Sequence, residues 1–245
     1  MIKRIRFATR NAVLEPDAFA GAWRRAAGAA GTAPPDARPV RIAVCTTLAD
    51  LTGDDPRHDG IALEWFSDAP HLARFRAWLD TPDGKAAADE VGRVVAPAAS
   101  PVIVAEEVVL RGADWLPTRW ADGGARFKHM AIALRSADLT PAEFSRRWKG
   151  HAGRSGVGQA QPGPAGADRP APIPESVRGL AYVQNHPVAR ASGEWAYDAL
   201  NEVYFDDAGV LRERIAWFRD NLRGRGGTDF VRRSWFLAAR EEVVA

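Results

Sequence analysis

The chain has 245 residues, of which 46% are hydrophobic and 26% are charged, as in ordinary globular proteins. A formal net charge of only +2 excludes a strong nucleic-acid footprint, and the single cysteine, Cys45, excludes an internal disulfide and a cysteine-rich metal site. No apolar run approaches about 18 residues, and the N-terminal sequence lacks the apolar core of a signal peptide, so we expect a cytoplasmic protein with no membrane partner.

The first half of the chain alternates predicted strands and helices. The strand RIRFAT precedes EPDAFAGAW, where Pro16 suits the first turn of a helix. The strand RIAVCTT comes next, then the strand and helix of HDGIALEWFSDAPHLARFRAWL, an extra segment TPDGKAAADEVGRVV, and the closing strand VIVAEEVVL. This β-α-β-β-α-β order is the ferredoxin-like motif, a four-stranded antiparallel sheet with two helices on one face.

The second half repeats this order. EPDAFAGAW matches TPAEFSRRW at an offset of 125, and HDGIALEWF matches YDALNEVYF at an offset of 139. Thr140 and Glu143 at the start of the matching helix predict a capping box. We therefore predict an α+β fold of two tandem ferredoxin-like domains, at residues 1–111 and 125–245.

Each predicted sheet has helices on one face and a bare second face. Two copies can cover each other by packing sheet to sheet, with a pocket between them. A monomer with an internal pseudo-dimer is then complete, and a homodimer formed through exposed sheet edges is the alternative.

Three motifs of the second half, WKGHAG, YVQNH and YDALNEVYFDD, resemble the EthD domain family of the dimeric α/β-barrel superfamily. The residues that carry the resemblance are Trp148, His151, Tyr182, Gln184, His186, Asp198, Glu202, Tyr204 and Phe205. The first half keeps the framework but has Ala26, Cys45 and Leu63 in place of His151, Gln184 and Glu202. The resemblance implies a barrel made by two domains with a ligand site inside, and relatives linked to polyketide tailoring and to breakdown of ethers and aromatic compounds.

Strand alternation indicates which polar side chains share a sheet face. Tyr182, Gln184 and His186 share one face of their strand, and Glu202 and Tyr204 share one face of theirs. We expect both sets to face the space between the sheets, where they would form a pocket floor.

The strand HMAIAL is expected to complete this floor. Its bulky Met130 and Ile132 are predicted to face the helices, whereas His129, Ala131 and Ala133 are predicted to face away and leave room.

We interpret the chain as a cofactor-independent acid–base enzyme of lyase or cyclase type, acting on a small hydrophobic carbonyl or phenolic compound. His151, on the same helix face as Trp148, is the expected general acid or base, and Glu202 is its partner. The expected substrate-binding residues are Tyr182, Gln184, His186, Tyr204 and Trp148. A tyrosine of this set can donate a hydrogen bond to a developing enolate or phenolate oxygen.

Alternatives stay open. The same polar residues can simply hydrogen-bond one another and fix packing, as in a non-enzymatic protein that binds a hydrophobic metabolite. The resemblance also implies a haem- or oxygen-dependent barrel enzyme with His151 as a ligand. We expect no cofactor and no metal, since phosphate-binding glycine motifs and histidine metal motifs are missing from the sequence.

Three further features carry expectations. Arg4 and Arg6 lie opposite Ile5 and Phe7 in alternation, so we expect them to point between the sheets and pair with a glutamate of the last strand, Glu106 or Glu107, or bind an acidic substrate. Glu64 falls on the predicted helix-facing side, which indicates a bulge or a different register. The Pro/Gly/Ala-rich stretch 153–174 is expected to be a lid or disordered.

Overall fold

The chain forms a mixed helix and sheet fold whose eight strands close into one antiparallel barrel. The computed structural model describes residues 1–52, 57–152, 173–190, 192–222 and 229–245, with only the backbone at 151, 152 and 222. None of the helices in these ranges is both long and apolar enough to span a membrane.

The elements of the first half, in chain order, are β1 (Ile2–Ala8), α1 (Pro16–Gly28), β2 (Arg41–Thr47), α2 (Ala49–Thr52), β3 (Gly60–Phe66), α3 (Ala69–Leu79), α4 (Pro82–Val94) and β4 (Val102–Arg111). A connecting helix α5 (Trp115–Asp122) follows. The elements of the second half are β5 (Ala125–Arg135), α6 (Pro141–Ala152), β6 (Ala181–Pro187), β7 (Ala199–Phe205), α7 (Ala208–Leu222) and β8 (Val231–Val243). Short 3-10 turns lie at Ala29–Thr32, Pro97–Ala99 and Glu175–Val177.

The strand order around the barrel is β1-β3-β2-β8-β5-β7-β6-β4. Each half thus contributes four neighbouring strands, and the halves are hydrogen-bonded to each other at β2–β8 and at β4–β6. The expectation of two sheets that merely face each other missed these two joints. Pairing at both joints satisfies the backbone groups that edge strands leave open, so each described strand has two neighbours and the expected exposed sheet edges are gone.

The centre of the barrel is filled by large apolar side chains from both halves. Ile5 and Leu63 of the first half pack there with Met130, Ile132 and Leu237 of the second, all at most 1% exposed. The prediction that Met130 and Ile132 face the helices is therefore wrong. The bulky residues occupy the inside because the bare faces of the two sheets meet there, and β5 turns its small residues toward the helices.

The helices start where the sequence predicted. Pro16 and Pro141 are the first residues of α1 and α6. The capping box is confirmed: the Thr140 backbone N–H donates to Glu143 Oε2 over 2.9 Å, and the Glu143 N–H donates to Thr140 Oγ1 over 3.3 Å.

A chain of alternating charges is buried at one end of the barrel. Lys3 of β1 pairs with Glu107 of the adjacent β4 over 2.5 Å, and Lys128 of β5 pairs with Glu241 of the adjacent β8. The two lysines are 125 residues apart, the offset of the sequence repeat, and both are wholly buried. Each half therefore supplies one lysine–glutamate pair to the same end.

One carboxylate links the two pairs. Glu202 of β7 lies 2.7 Å from Lys3 Nζ and 2.5 Å from Lys128 Nζ, across the barrel interior. The first half has Leu63 at the corresponding position of β3, so this link has no counterpart. Arg119 of α5 completes the charge ladder with a 3.0 Å bond to Glu241.

Helix α5 covers this end of the barrel. Its Trp120 packs edge-on against Trp65 and Tyr204, and Arg41 lies over the Trp120 ring at 4.2 Å. Gly112 leads into the helix with φ +76°, and a Cβ there would meet the Leu180 carbonyl oxygen at 2.5 Å. The connection between the halves therefore doubles as a cap over the buried charges.

The ladder generates a stability prediction. Glu202→Gln removes the carboxylate that both lysines share, and we expect it to lower the free energy of unfolding by roughly 3–5 kcal/mol, the usual cost of breaking a buried pair. The matched control is Glu242→Gln, which removes a half-buried carboxylate paired with the exposed Arg24 and Arg240 and should cost at most about 1 kcal/mol. Urea unfolding followed by circular dichroism measures both, and equal losses in the two variants would contradict a ladder that holds the barrel together.

Candidate functional site

The Glu202 carboxylate is sealed inside the barrel. Besides the two lysines it accepts hydrogen bonds from Asn185 Nδ2 at 2.9 Å and from the Tyr204 hydroxyl at 3.0 Å, and its side chain is wholly buried. Burial alone raises the pKa of this carboxyl, but Lys128 and Lys3 outweigh burial and hold the pKa well below its usual range. Glu202 is therefore ionised, its carboxylate is occupied by these four partners, and Tyr204 is one of them.

The predicted polar face is divided between two sides of the sheet. In the register of β6 and β7, Val183 lies opposite Glu202, whereas Gln184 lies opposite Asn201. Paired residues point to the same side of a sheet. The helices are therefore faced by Tyr182, Gln184 and His186, and the barrel interior is faced by Glu202 and Tyr204. Alternation along the sequence shows which side chains of one strand share a face. It does not show which face of the neighbouring strand lies on the same side, because that depends on how the strands pair.

The helix-facing residues of the second half form two rows across the sheet. One row contains Ala238, His129, Val203 and Tyr182, and the next contains Phe236, Ala131, Asn201 and Gln184. Ala131 and Tyr182 are half-buried although they lie within the sheet. We call the helix-facing surface of these two rows, under α6 and α7, the second-half cleft.

One hydrogen-bond chain crosses the cleft from helix to sheet. Trp148 Nε1 of α6 donates to Asn201 Oδ1 over 3.0 Å, and Asn201 Nδ2 donates to the Tyr182 hydroxyl over 2.9 Å. Gln184 Nε2 donates to the Trp148 carbonyl oxygen over 3.3 Å. The network thus brings together three predicted binding residues, Trp148, Tyr182 and Gln184. Asn201, which was not predicted, connects Trp148 to Tyr182.

His186 extends this network. Because the Gln184 amide N–H₂ is used on Trp148, its Oε1 accepts from His186 Nε2 at 3.0 Å, and Nδ1 accepts from the Ser145 hydroxyl at 3.1 Å. Burial, and then Lys149, lowers the pKa of His186 to about 4. At neutral pH this imidazole is an uncharged link whose two nitrogens are both occupied.

A second imidazole stands at the other side of the cleft. His129 Nδ1 accepts from Arg214 Nε at 2.9 Å, and Arg214 in turn donates to the Val177 carbonyl oxygen at 2.8 Å. Burial, and then Arg214, holds the pKa of His129 well below its usual range. The prediction that His129 faces away from the helices is wrong, because β5 turns its bulky residues inward.

The first half fills the same positions with an ion triad. Arg4 and Arg6 bind Glu64 at 2.6 and 2.8 Å, and they lie over the rings of Phe75 and Trp23. Both arginines thus face the helices and pair with Glu64, which corrects the expectation of partners between the sheets.

The β1–β3 pairing is regular, so the helix-facing Glu64 needs no bulge. Val44 lies opposite Ala62 as Gln184 lies opposite Asn201, so Val44 corresponds to Gln184 and the predicted match of Cys45 is off by one residue.

The backbone of His151 lies in the last turn of α6, whereas its side chain lies outside the described residues. Most of the stretch 153–174 lies outside them as well. Among the described residues, no group of three or more His, Cys, Asp or Glu side chains could hold a metal ion. The acid–base role of His151 and the lid stay predictions.

Sequence reasoning missed Asn201 and Arg214, and it placed His129 on the wrong face of β5. Asn201 precedes Glu202 in β7 and therefore points to the opposite side of the sheet. Its position as a polar residue on that other face was the signal available in the sequence. Arg214 stands 139 residues after Phe75, on the repeat offset, and an arginine in place of a core phenylalanine marks a polar environment.

The sequence matches no family model and no curated protein. Among solved structures the chain is similar to a putative monooxygenase from Lactobacillus acidophilus NCFM, with 9% identity over 100% of this chain and 94% of that one and a TM-score of 0.47. It is also similar to a mutant chlorite dismutase from Candidatus Nitrospira defluvii, with 9% identity over 97% and 90% of the two chains and a TM-score of 0.40. Likenesses this distant support no assignment of ligand, reaction or cofactor.

The buried imidazoles generate a pH prediction. We expect His186, and likewise His58, whose pKa burial and then Arg57 lower to about 4, to show no protonation between pH 8 and 5 in ¹⁵N NMR spectra. The unfolded chain takes up these protons near pH 6.5, so their contribution to the free energy of unfolding is complete above that pH and is lost as pH falls toward 4.

Lys149→Gln is the control for His186. Since burial is the larger cause, the pKa of His186 should rise only slightly in this variant. A His186 signal that titrates near pH 6.5 in the unmodified protein would contradict the buried network.

Proposed function

We propose that this chain is a lyase- or cyclase-type enzyme that moves a proton, without a cofactor, on a small and largely hydrophobic carbonyl or phenolic compound bound in the second-half cleft. The observation that carries the proposal is the Tyr182 hydroxyl. Its oxygen accepts from Asn201 and is also hydrogen-bonded to the Gln184 side chain, and no described residue is recorded as accepting the hydroxyl's own proton. Burial raises the pKa of Tyr182 to about 12, so the hydroxyl keeps that proton at neutral pH.

This hydroxyl is suited to an oxygen that gains negative charge during a reaction. When a proton leaves the carbon beside a carbonyl, charge moves to the oxygen, and a preset donor then binds the enolate more strongly than the ketone. Arg214 and Arg111 add positive potential at Tyr182, which favours the same charge. Ala131, half-buried in the neighbouring row, leaves room for the substrate.

The other residues hold this donor or move the proton. Trp148 and Asn201 orient Tyr182, and Gln184 and His186 tie α6 to β6. We assign the general acid or base to His151, three residues after Trp148 on α6. Glu202 is excluded from proton transfer in this proposal, because two lysines, Asn185 and Tyr204 already occupy its carboxylate.

A non-enzymatic binding protein is the second candidate. It is favoured by the completeness of the cleft network, since Gln184, His186 and Asn201 all have protein hydrogen-bond partners without a ligand. Such a protein would hold the same class of compound and leave it unchanged.

For the architecture we propose a tandem pair of ferredoxin-like domains at 1–111 and 125–245, related to the EthD domains of the dimeric α/β-barrel superfamily. The proposal is supported by the equal neighbour order β4-β1-β3-β2 and β8-β5-β7-β6 and by the constant offsets between the halves. One chain then completes the barrel as a monomer with an internal pseudo-dimer.

Tyr182→Phe tests the function. With a compound found by native mass spectrometry of freshly purified protein, or turned over in a panel of β-keto acids and phenols, kcat should fall about 10²–10³-fold while KM changes little, as for loss of one oxyanion donor. The matched control is Tyr197→Phe, whose hydroxyl lies on His58 at the other end of the barrel and should leave kcat unchanged.

The outcomes separate the candidates. An unchanged kcat in Tyr182→Phe would refute the assigned role. Binding without turnover in every panel member, with affinity lowered in this variant, would favour the binding protein.

A further inference from the structure

A cavity of about 270 Å³ lies between α2 of the first half and α7, β5 and β8 of the second. Its lining residues are Leu51, Thr52, His129, Ile215, Phe218, Arg219, Phe236, Leu237 and Ala238. Apolar walls with few polar groups are typical of small-molecule sites. Tyr182 is absent from this lining and lies across Val203 from His129, so the cavity is on the His129 side of the second-half cleft, apart from the Tyr182 hydroxyl of the proposed reaction.

The polar group of this cavity has a fixed proton. A guanidinium has no acceptor, so the Arg214 Nε–H donates to His129 Nδ1, and Nδ1 carries no proton. The neutral imidazole then carries its proton on Nε2, and this atom has no partner among the described residues. His129 lines the cavity and is only 5% exposed, so an almost buried side chain at the cavity has an unused N–H donor.

Three rings shape the wall around this donor. The His129 ring lies 5.1 Å from Phe218 and 5.1 Å from Phe236. Phe236 is 45% exposed, an unusual exposure for a large apolar side chain in a barrel strand, and a flat ligand would cover it. Leu51 and Thr52 close the opposite side, and Thr52 fixes α2 there because its Oγ1 accepts a hydrogen bond from the Ala238 backbone N–H over 3.0 Å.

We propose that this cavity binds a small aromatic compound carrying a carbonyl or phenolate oxygen, which accepts a hydrogen bond from His129 Nε2–H while its ring lies against Phe218 and Phe236. The donor excludes ligands that can only donate. Arg214 on the imidazole and Arg219 at the rim disfavour cationic ligands. The site draws residues from both halves, so it exists only in the closed barrel.

The test uses two probes of nearly equal shape, acetophenone and α-methylstyrene, which differ by the carbonyl oxygen. The readout is the His129 Nε2–H signal in ¹⁵N NMR spectra of the full chain. Acetophenone should shift this signal and bind roughly 2- to 12-fold more tightly than α-methylstyrene, the range expected for one hydrogen bond. His129→Phe should remove that preference and keep the binding of both probes.

Two further variants control for location. Leu51→Trp fills the cavity from the half-buried helix α2 and should abolish the binding of both probes. Tyr182→Phe should leave the shift of the His129 signal unchanged, so failure of the reaction proposal and failure of this one are distinguishable. Equal affinities for the two probes in the unmodified protein, or a His129 signal unmoved by millimolar acetophenone, would overturn the proposal.

Discussion

The structure depends on a ladder of alternating charges at one end of the barrel, Glu107–Lys3–Glu202–Lys128–Glu241–Arg119. Buried charges are tolerated only when each finds its partner, and removal of one leaves another uncompensated. Three carboxylates and three cations balance here only if β1, β4, β5, β7, β8 and α5 are all in place. The ladder therefore couples the pairing of the two halves to the docking of the helix that connects them.

The ladder also explains why the two halves differ at equivalent positions. Each half supplies one lysine–glutamate pair, but a second carboxylate in both halves would leave an excess of negative charge inside. Glu202 is present once, with Leu63 at the equivalent place, and Arg119 balances the remaining charge. The approximate repeat of the two halves thus forms the barrel, and the difference between the halves at Glu202 and Leu63 keeps the buried charges balanced.

The two halves also differ on the sheet faces under the helices: the face is filled by charged side chains in the first half and is more accessible in the second. In the first half Arg4, Glu64 and Arg6 form a closed triad beneath Phe75 and Trp23. In the second half the corresponding strand positions are His129, Val203 and Ala131, so no ion triad fills the space. The polar groups that replace it are uncharged, apart from Arg214, and hydrogen bonds fix the protons of His129 and His186. Fixed neutral donors suit recognition of an oxygen on an otherwise apolar compound.

The repeat in the sequence determined the alternation of strands and helices, the helix start at Pro16, the cap at Thr140, and the groups of side chains that share a face within one strand. These features depend on neighbours a few residues apart, which local periodicity records. The sequence did not determine which face of β5, β6 or β7 looks inward, and so it placed Gln184 beside Glu202. That choice depends on strand register and on barrel closure, and these are decided by contacts between residues as distant as Lys3 and Glu202. Only the tertiary structure could decide it, because the energy of burying these charges exists only when both halves are assembled.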